Sequence, residues 1–371
     1  MNQTSAGLGG EVLVEDDGAL AEVLFQYVAS QEEVVAPTYT DFLRALDPSI
    51  RLVAVVPRDA DAGTSDAAPL RAFLATVDPS GSLAARTRIV ETAGPITVWS
   101  KDRALVLAAP RTQLVVPMRP DPKWRERFND WATLSAVAQA MPAQYLVNEV
   151  PLDYDAGDFA VTGDKIIVDV NLVAKNQKHG LTTAKALSEF LARTFHRAII
   201  VLGDVDGDVP RHHLSMYMTP IGDGAVLVGD PRAGRDLVGP VFTPGEESPD
   251  TGEPLVADFS EPTLAKFDRA AKDLTLAGFR VERIPVVPFD DKTYVTYTNG
   301  VYETRGGRKI AYVPQYAKGA ADAAVAKMDA LAADKYRALG WDVRSIRVRD
   351  AYRYHGTIGC LCNVLRRIGT P

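Results

Sequence analysis

Five stretches of this chain repeat one order of events: an amphipathic helix, a hydrophobic strand, then a polar turn that opens a further strand pair. The turns and the strands they open read VWSKDRALVLA (98–108), DYDAGDFAVTGDKIIVDV (153–170), RHHLSMYMTPIGDGAVLVGD (211–230), YVTYTNGVYETRGGRKIAYVP (294–314) and YHGTIGCLCNVL (354–365). In the middle three, VTGDK, IGDG and TRGGRK are glycine-bearing hairpin turns. Helices are predicted over 182–195, where Leu187, Phe190, Leu191 and Phe195 form one stripe, over 262–279, which opens at Pro262 and stops at Gly278, and over 323–341, which stops at Gly340. Such units cannot bury their apolar faces singly. Placed around a centre they bury one another's, so the expectation is one closed α/β domain of pseudo-fivefold repeats over 36–371, preceded by an N-terminal extension over 1–35. The step from the third copy to the fourth carries surplus sequence, 232–262, rich in proline, glycine and acids. A long irregular segment within a compact domain predicts a functional loop, here a lid.

Composition narrows the partners. The chain has 371 residues and a net charge of −7, which argues against a phosphate-tracking surface and for a cationic small molecule or a basic peptide. The N-terminal stretch lacks a basic region followed by an apolar run, and no uninterrupted run of about 18 apolar residues occurs, so neither a signal peptide nor a membrane span is expected. A cytoplasmic location is the expectation, and the oligomeric state is left open.

Both cysteines, Cys360 and Cys362, fall in the last copy. In a strand, residues i and i+2 lie about 6.6 Å apart with parallel side chains, a poor geometry for a disulfide. No second cysteine pair exists to complete a structural zinc site. The segment DVDGDVPRHHLS (204–215) has alternating acids, but its glycine comes too early for a calcium loop and Ser215 stands where the bidentate Glu belongs. Two free thiols are therefore predicted, with no metal.

The polar residues gather at equivalent turns. Asp102 stands at the first, Asp155 and Asp158 at the second, His212 and His213 at the third, Asn299 at the fourth and Cys360 at the fifth. Repeats arranged about an axis would bring these positions to one cavity. Carboxylates suit the planar fork of a guanidinium. A thiol whose pKa is lowered by nearby positive charge attacks its central carbon, while histidine moves the protons. This chemistry needs no cofactor. Cys362 reads as a packed strand residue, His213 is favoured over His212 by its alternation with Ser215 and Tyr217, and His355 is either a second base or a loop histidine. Arg103, Arg211 and Arg353 could hold a substrate carboxylate.

These residues carry a resemblance. YTNGVYETRGGRKIAYVPQY and the run GWDVRSIRVRDAYRYHGTIGC are similar to the C-terminal third of bacterial peptidylarginine deiminases and agmatine deiminases, HLSMYM resembles their H-x-D hairpin, and WSKD their W-x-R-D segment. DAGDF resembles the D-A-A-D-F run of amidinotransferases, relatives in the same pentein superfamily. The resemblance spans roughly 36–367 and implies a pentein fold, a five-bladed α/β propeller. It implies Cys360 as nucleophile, His213 as general acid and base, Asp102 and Asp155 as guanidinium ligands and Asn299 as an orienting residue, with Asp158, Ser215 and Trp99 in the substrate-binding set. This chain departs from the pattern at Ser215, where the family has the Asp of H-x-D, at Gly359, where a His precedes the cysteine, and at Lys101, where an Arg is usual. The implied function is a deiminase acting on a small guanidine or a peptidyl arginine. An amidinotransferase is the alternative, and a non-catalytic binding module the third reading.

Overall fold

The computed structural model describes residues 8–59, 61–118, 129–318 and 322–369. Five of its sheets are built alike: an inner strand pairs antiparallel with a middle strand, which pairs parallel with an outer one. Leu105–Ala108, Thr112–Val116 and Tyr145–Glu149 form the first such set. Ala160–Thr162, Lys165–Asp169 and Ala198–Leu202 form the second. Met218–Pro220, Ala225–Asp230 and Arg280–Pro285 form the third. Val301–Arg305, Arg308–Gln315 and Trp341–Arg347 form the fourth. The hairpins fall at the glycine turns, where Gly163, Gly224, Gly306 and Gly307 adopt the positive φ that a tight connection requires.

The fifth set joins the two ends of the chain. Cys362–Ile368 pairs antiparallel with Ala19–Gln26, which pairs parallel with Arg51–Asp59. The stretch 1–35, set apart above as an extension, therefore contains the middle strand of a sheet, Ala19–Gln26. Val23 and Leu24 are wholly buried in it. The reason is local: LAEVLF is a short apolar run with little alternation, as expected of a strand covered on both faces. Helix Glu32–Ala45 follows and buries Val35, Tyr39, Phe42 and Leu43.

The three helices anticipated from the apolar stripes span Ala184–Phe195, Glu261–Leu276 and Ala323–Ala338. Thr183 caps the first by accepting the Ala186 N–H, and Pro262 sits in the first turn of the second, where its missing N–H costs nothing. None of the helices among the described residues is long and apolar enough to cross a membrane.

All five inner strands help to wall one cavity of about 70 Å³, through Val106, Val161, Thr219, Val301 and Cys362 among others. Because the inner strands meet there, the turns that precede them also meet. Three of these turns are 3-10 segments, Lys101–Arg103, Ala156–Asp158 and Leu214–Met216, and a fourth is the helical turn Ile358–Leu361.

The surplus segment begins as a helix, Pro231–Val238, capped by Asp230, and continues without regular structure. Glu246 fastens it, accepting from Arg349 Nε at 2.7 Å, Arg349 Nη2 at 3.0 Å and the Tyr352 hydroxyl at 2.9 Å. Asp250 lies 3.3 Å from His355 Nε2. The segment thus rests on the stretch of chain that leads to Cys360.

Candidate active site

Cys360 occupies the helical turn just before the fifth inner strand and is 1 % exposed. Its Sγ lies 3.7 Å from His213 Nδ1 and accepts a hydrogen bond from Asn299 Nδ2 at 2.9 Å. The other ring nitrogen of His213 faces two carboxylates, Asp102 Oδ1 at 3.9 Å and Asp155 Oδ2 at 3.7 Å. Residues from all five turns therefore stand together. Asp102, Asp155 and His213 also bring ligand atoms within 4.8 Å of one another, so among the described residues they are the side chains that could hold a metal ion.

Burial opposes a charged imidazole, but Asp102, Asp155 and the thiol outweigh it and hold the pKa of His213 well above the usual histidine range. Burial likewise works against ionised Asp155, and there Lys175, His213 and Arg103 win, leaving its carboxyl well below the ordinary carboxylate range. His212 behaves oppositely. Its ring stacks on His213 at 4.0 Å, and burial together with the charge of its neighbour pushes its pKa well below the usual value. Its Nε2 meets the His355 carbonyl at 2.7 Å, so it braces the loop before the cysteine.

Close approach explains the glycines here. A Cβ on Gly157 would lie 2.6 Å from the His213 ring, so the DAGD turn rests directly on that imidazole. A Cβ on Gly359 would lie 1.9 Å from Asn299 Oδ1, so the amide that reaches the thiol occupies the space any side chain at 359 would need. Trp99 packs against Gly356, where a Cβ would meet its ring at 2.5 Å.

The remaining members of the expected set fall around this group. Asp158 accepts the Asp155 N–H at 3.0 Å and pairs with Lys175 at 2.6 Å, so it shapes the turn behind Asp155. Ser215 lines the cavity walled by the inner strands, in company with Asn299 and Gly359. Lys101 pairs with Glu15. Among the three arginines singled out, Arg103 faces Asp155 Oδ1 at 3.6 Å, Arg211 pairs with Asp206 at 3.1 Å and Arg353 lies over the Tyr354 ring. Residues that sequence reasoning missed are Lys175, 3.4 Å from Asp155, and Asp169, which accepts from the Tyr217 hydroxyl at 2.7 Å. Asp169 ends the middle strand of the second sheet and Lys175 lies in the helix Val170–Asn176 that follows it, and no spacing in the sequence marks either as part of this group.

No family model matches the sequence, and no curated protein matches it. Solved structures do match. An agmatine deiminase from C. jejuni is 15% identical, with 100% of each chain covered and a TM-score of 0.68. An agmatine deiminase of Enterococcus faecalis is 12% identical over 97% of this chain and 96% of its own, with a TM-score of 0.65. An arginine dihydrolase from cyanobacteria is 14% identical over 95% of this chain and 40% of its own, with a TM-score of 0.50. At such identities the likeness speaks for the fold, and the chain has the pentein fold that these proteins share.

Proposed function

We propose that this protein is a guanidino-group hydrolase of the deiminase type, with its five alike sheets standing as blades around the axis of the central cavity. The observation that carries the reading is the thiol of Cys360, 3.7 Å from an imidazole whose far nitrogen faces Asp102 and Asp155. Imidazolium character at His213 favours the thiolate, and a buried amide N–H from Asn299 adds a donor to it. Asp102 and Asp155 supply the carboxylates that a planar cation needs.

The reaction follows from these positions. The thiolate of Cys360 adds to the central guanidinium carbon, forming a C–S bond and a tetrahedral adduct. His213 gives its proton to one nitrogen, the C–N bond breaks, and ammonia leaves behind an S-alkylthiouronium. Water then adds to the same carbon, His213 takes a proton from it, and the C–S bond breaks to release a ureido product and the thiolate. One guanidine and one water yield one urea and one ammonia.

The test is release of ammonia and ureido product from a panel of guanidines, with Cys360→Ala as control and mass spectrometry for a covalent adduct on the thiol. Full activity in Cys360→Ala sinks the reading. Turnover that requires an added amine and yields no ammonia replaces it with amidino transfer. No turnover, adduct or transfer replaces it with a binding module.

A further inference from the structure

The carboxylate best placed to grip a guanidinium is already surrounded by cations of the chain itself. Asp155 Oδ1 faces Arg103 at 3.6 Å, and its Oδ2 faces Lys175 at 3.4 Å and His213 at 3.7 Å. A bound guanidinium has to share Asp155 with these groups, and whatever it takes from the carboxylate it takes from Arg103 and Lys175. Lys175 retains Asp158 at 2.6 Å. Arg103 has less to fall back on: its side chain is 9% exposed, and its Nε is buried without a hydrogen-bond partner among the described residues.

The same two cations lie where the rest of a substrate must pass. Cys360, His213 and Asp102 are almost wholly buried, whereas the side chains of Asp155 and Lys175 are 24% and 36% exposed. The site therefore meets solvent along the Asp155–Lys175 edge, and a substrate whose guanidinium reaches the thiol leaves its distal end beside Lys175 and Arg103. A distal ammonium would lie against two like charges. A distal carboxylate would return to them the compensation that the guanidinium withdraws.

We infer that this site selects guanidines whose far end is a carboxylate, guanidino acids, over those ending in an amine. The inference rests on the reading of the site as guanidine-binding, and it sets the chain apart from the agmatine deiminases whose fold it shares, since agmatine ends in an ammonium. Arg103 and Lys175 are the specificity-determining residues.

Three probes of similar length separate the possibilities: 4-guanidinobutyrate, n-butylguanidine and agmatine carry a negative, a neutral and a positive end. The readout is protection of Cys360 from 2-chloroacetamidine, an amidine that alkylates the thiol, followed by mass spectrometry on the full chain, so no turnover is needed. The expected half-protecting concentration rises in the order given, with at least about a tenfold gap between the first probe and the last. Lys175→Gln and Arg103→Gln should each shrink that gap, and Lys175→Glu should favour agmatine. Should the Lys175 variants fail to fold, the order in the unaltered protein decides by itself. Equal protection by all three, or best protection by agmatine, overturns the selectivity and leaves the guanidine reading standing. Alkylation of Cys360 that no guanidine slows overturns both.

Discussion

Cys360 and Cys362 are two residues apart, yet they belong to different regions of the fifth unit. Cys360 lies in the turn, where it meets Asn299 and His213. Cys362 begins the inner strand, its Sγ near the Ile358 carbonyl at 3.3 Å, and burial pushes its thiol up to about 12. The turn ends of the units collect amides, carboxylates and imidazole, and any group placed there meets charge. The strand bodies are packed by neighbouring strands, so the same side chain becomes a small hydrophobe. The surroundings of a thiol here follow the region and not the residue type.

The largest test of that contrast is the pair of cysteine variants. Cys360→Ala should lower turnover by roughly 10⁴-fold or more. Cys362→Ala should leave turnover within a few-fold and cost about 1 kcal/mol of stability in a urea titration. Comparable loss of turnover in both breaks the distinction between turn and strand.

The stacked histidines sharpen it. His213→Asn should cost about 10²- to 10⁴-fold in turnover and slow the alkylation of Cys360 at fixed pH, because the imidazole facing the sulfur is gone. His212→Asn, which removes a brace on the loop, should alter that rate little. An equal loss of rate in both variants would mean that the two rings act as one.

Within the second unit, Asp155 at the turn is held ionised, while Asp169 at the end of the middle strand is raised to about 7, chiefly by burial. A raised carboxyl binds its proton in the fold over a range where the unfolded chain has lost it. Its contribution to stability is therefore complete below the ordinary value of 3.8 and fades as pH rises through about 7. Asp169→Asn should flatten the fall in urea midpoint between these limits, a difference on the order of a few kcal/mol. Parallel curves for the two proteins would contradict the assignment.

Gly359→Ala carries a smaller expected effect than the variants of Cys360, His213 and Asp169. Alanine is ordinarily the better helix former, so a stabilised protein is the outcome if the site has room. The 1.9 Å approach to Asn299 Oδ1 predicts the opposite sign, a loss of about 1–3 kcal/mol together with weaker activity as the amide is driven from the thiol.

Much of this was legible in the chain. The glycine hairpins marked the second, third and fourth sheets, and the apolar stripes placed three helices to within a few residues, because both signals are short-range. The polar residues at the turns were legible as a set because a repeat puts equivalent positions in equivalent places. The place of Ala19–Gln26 escaped, although its apolar run reads as a strand, since its partner is Cys362–Ile368 at the other end of the chain and nothing local announces that pairing.

By itself the sequence determined the repeat, the free thiols and the kinds of side chain gathered at the turns: these depend on spacing and on the identity of side chains. Tertiary structure alone decided which groups share a charge. It set Lys175 and Arg103 beside Asp155, raised Asp169 and separated the two cysteines by environment, because electrostatic energy depends on distance and burial, and neither is a property of order along the chain.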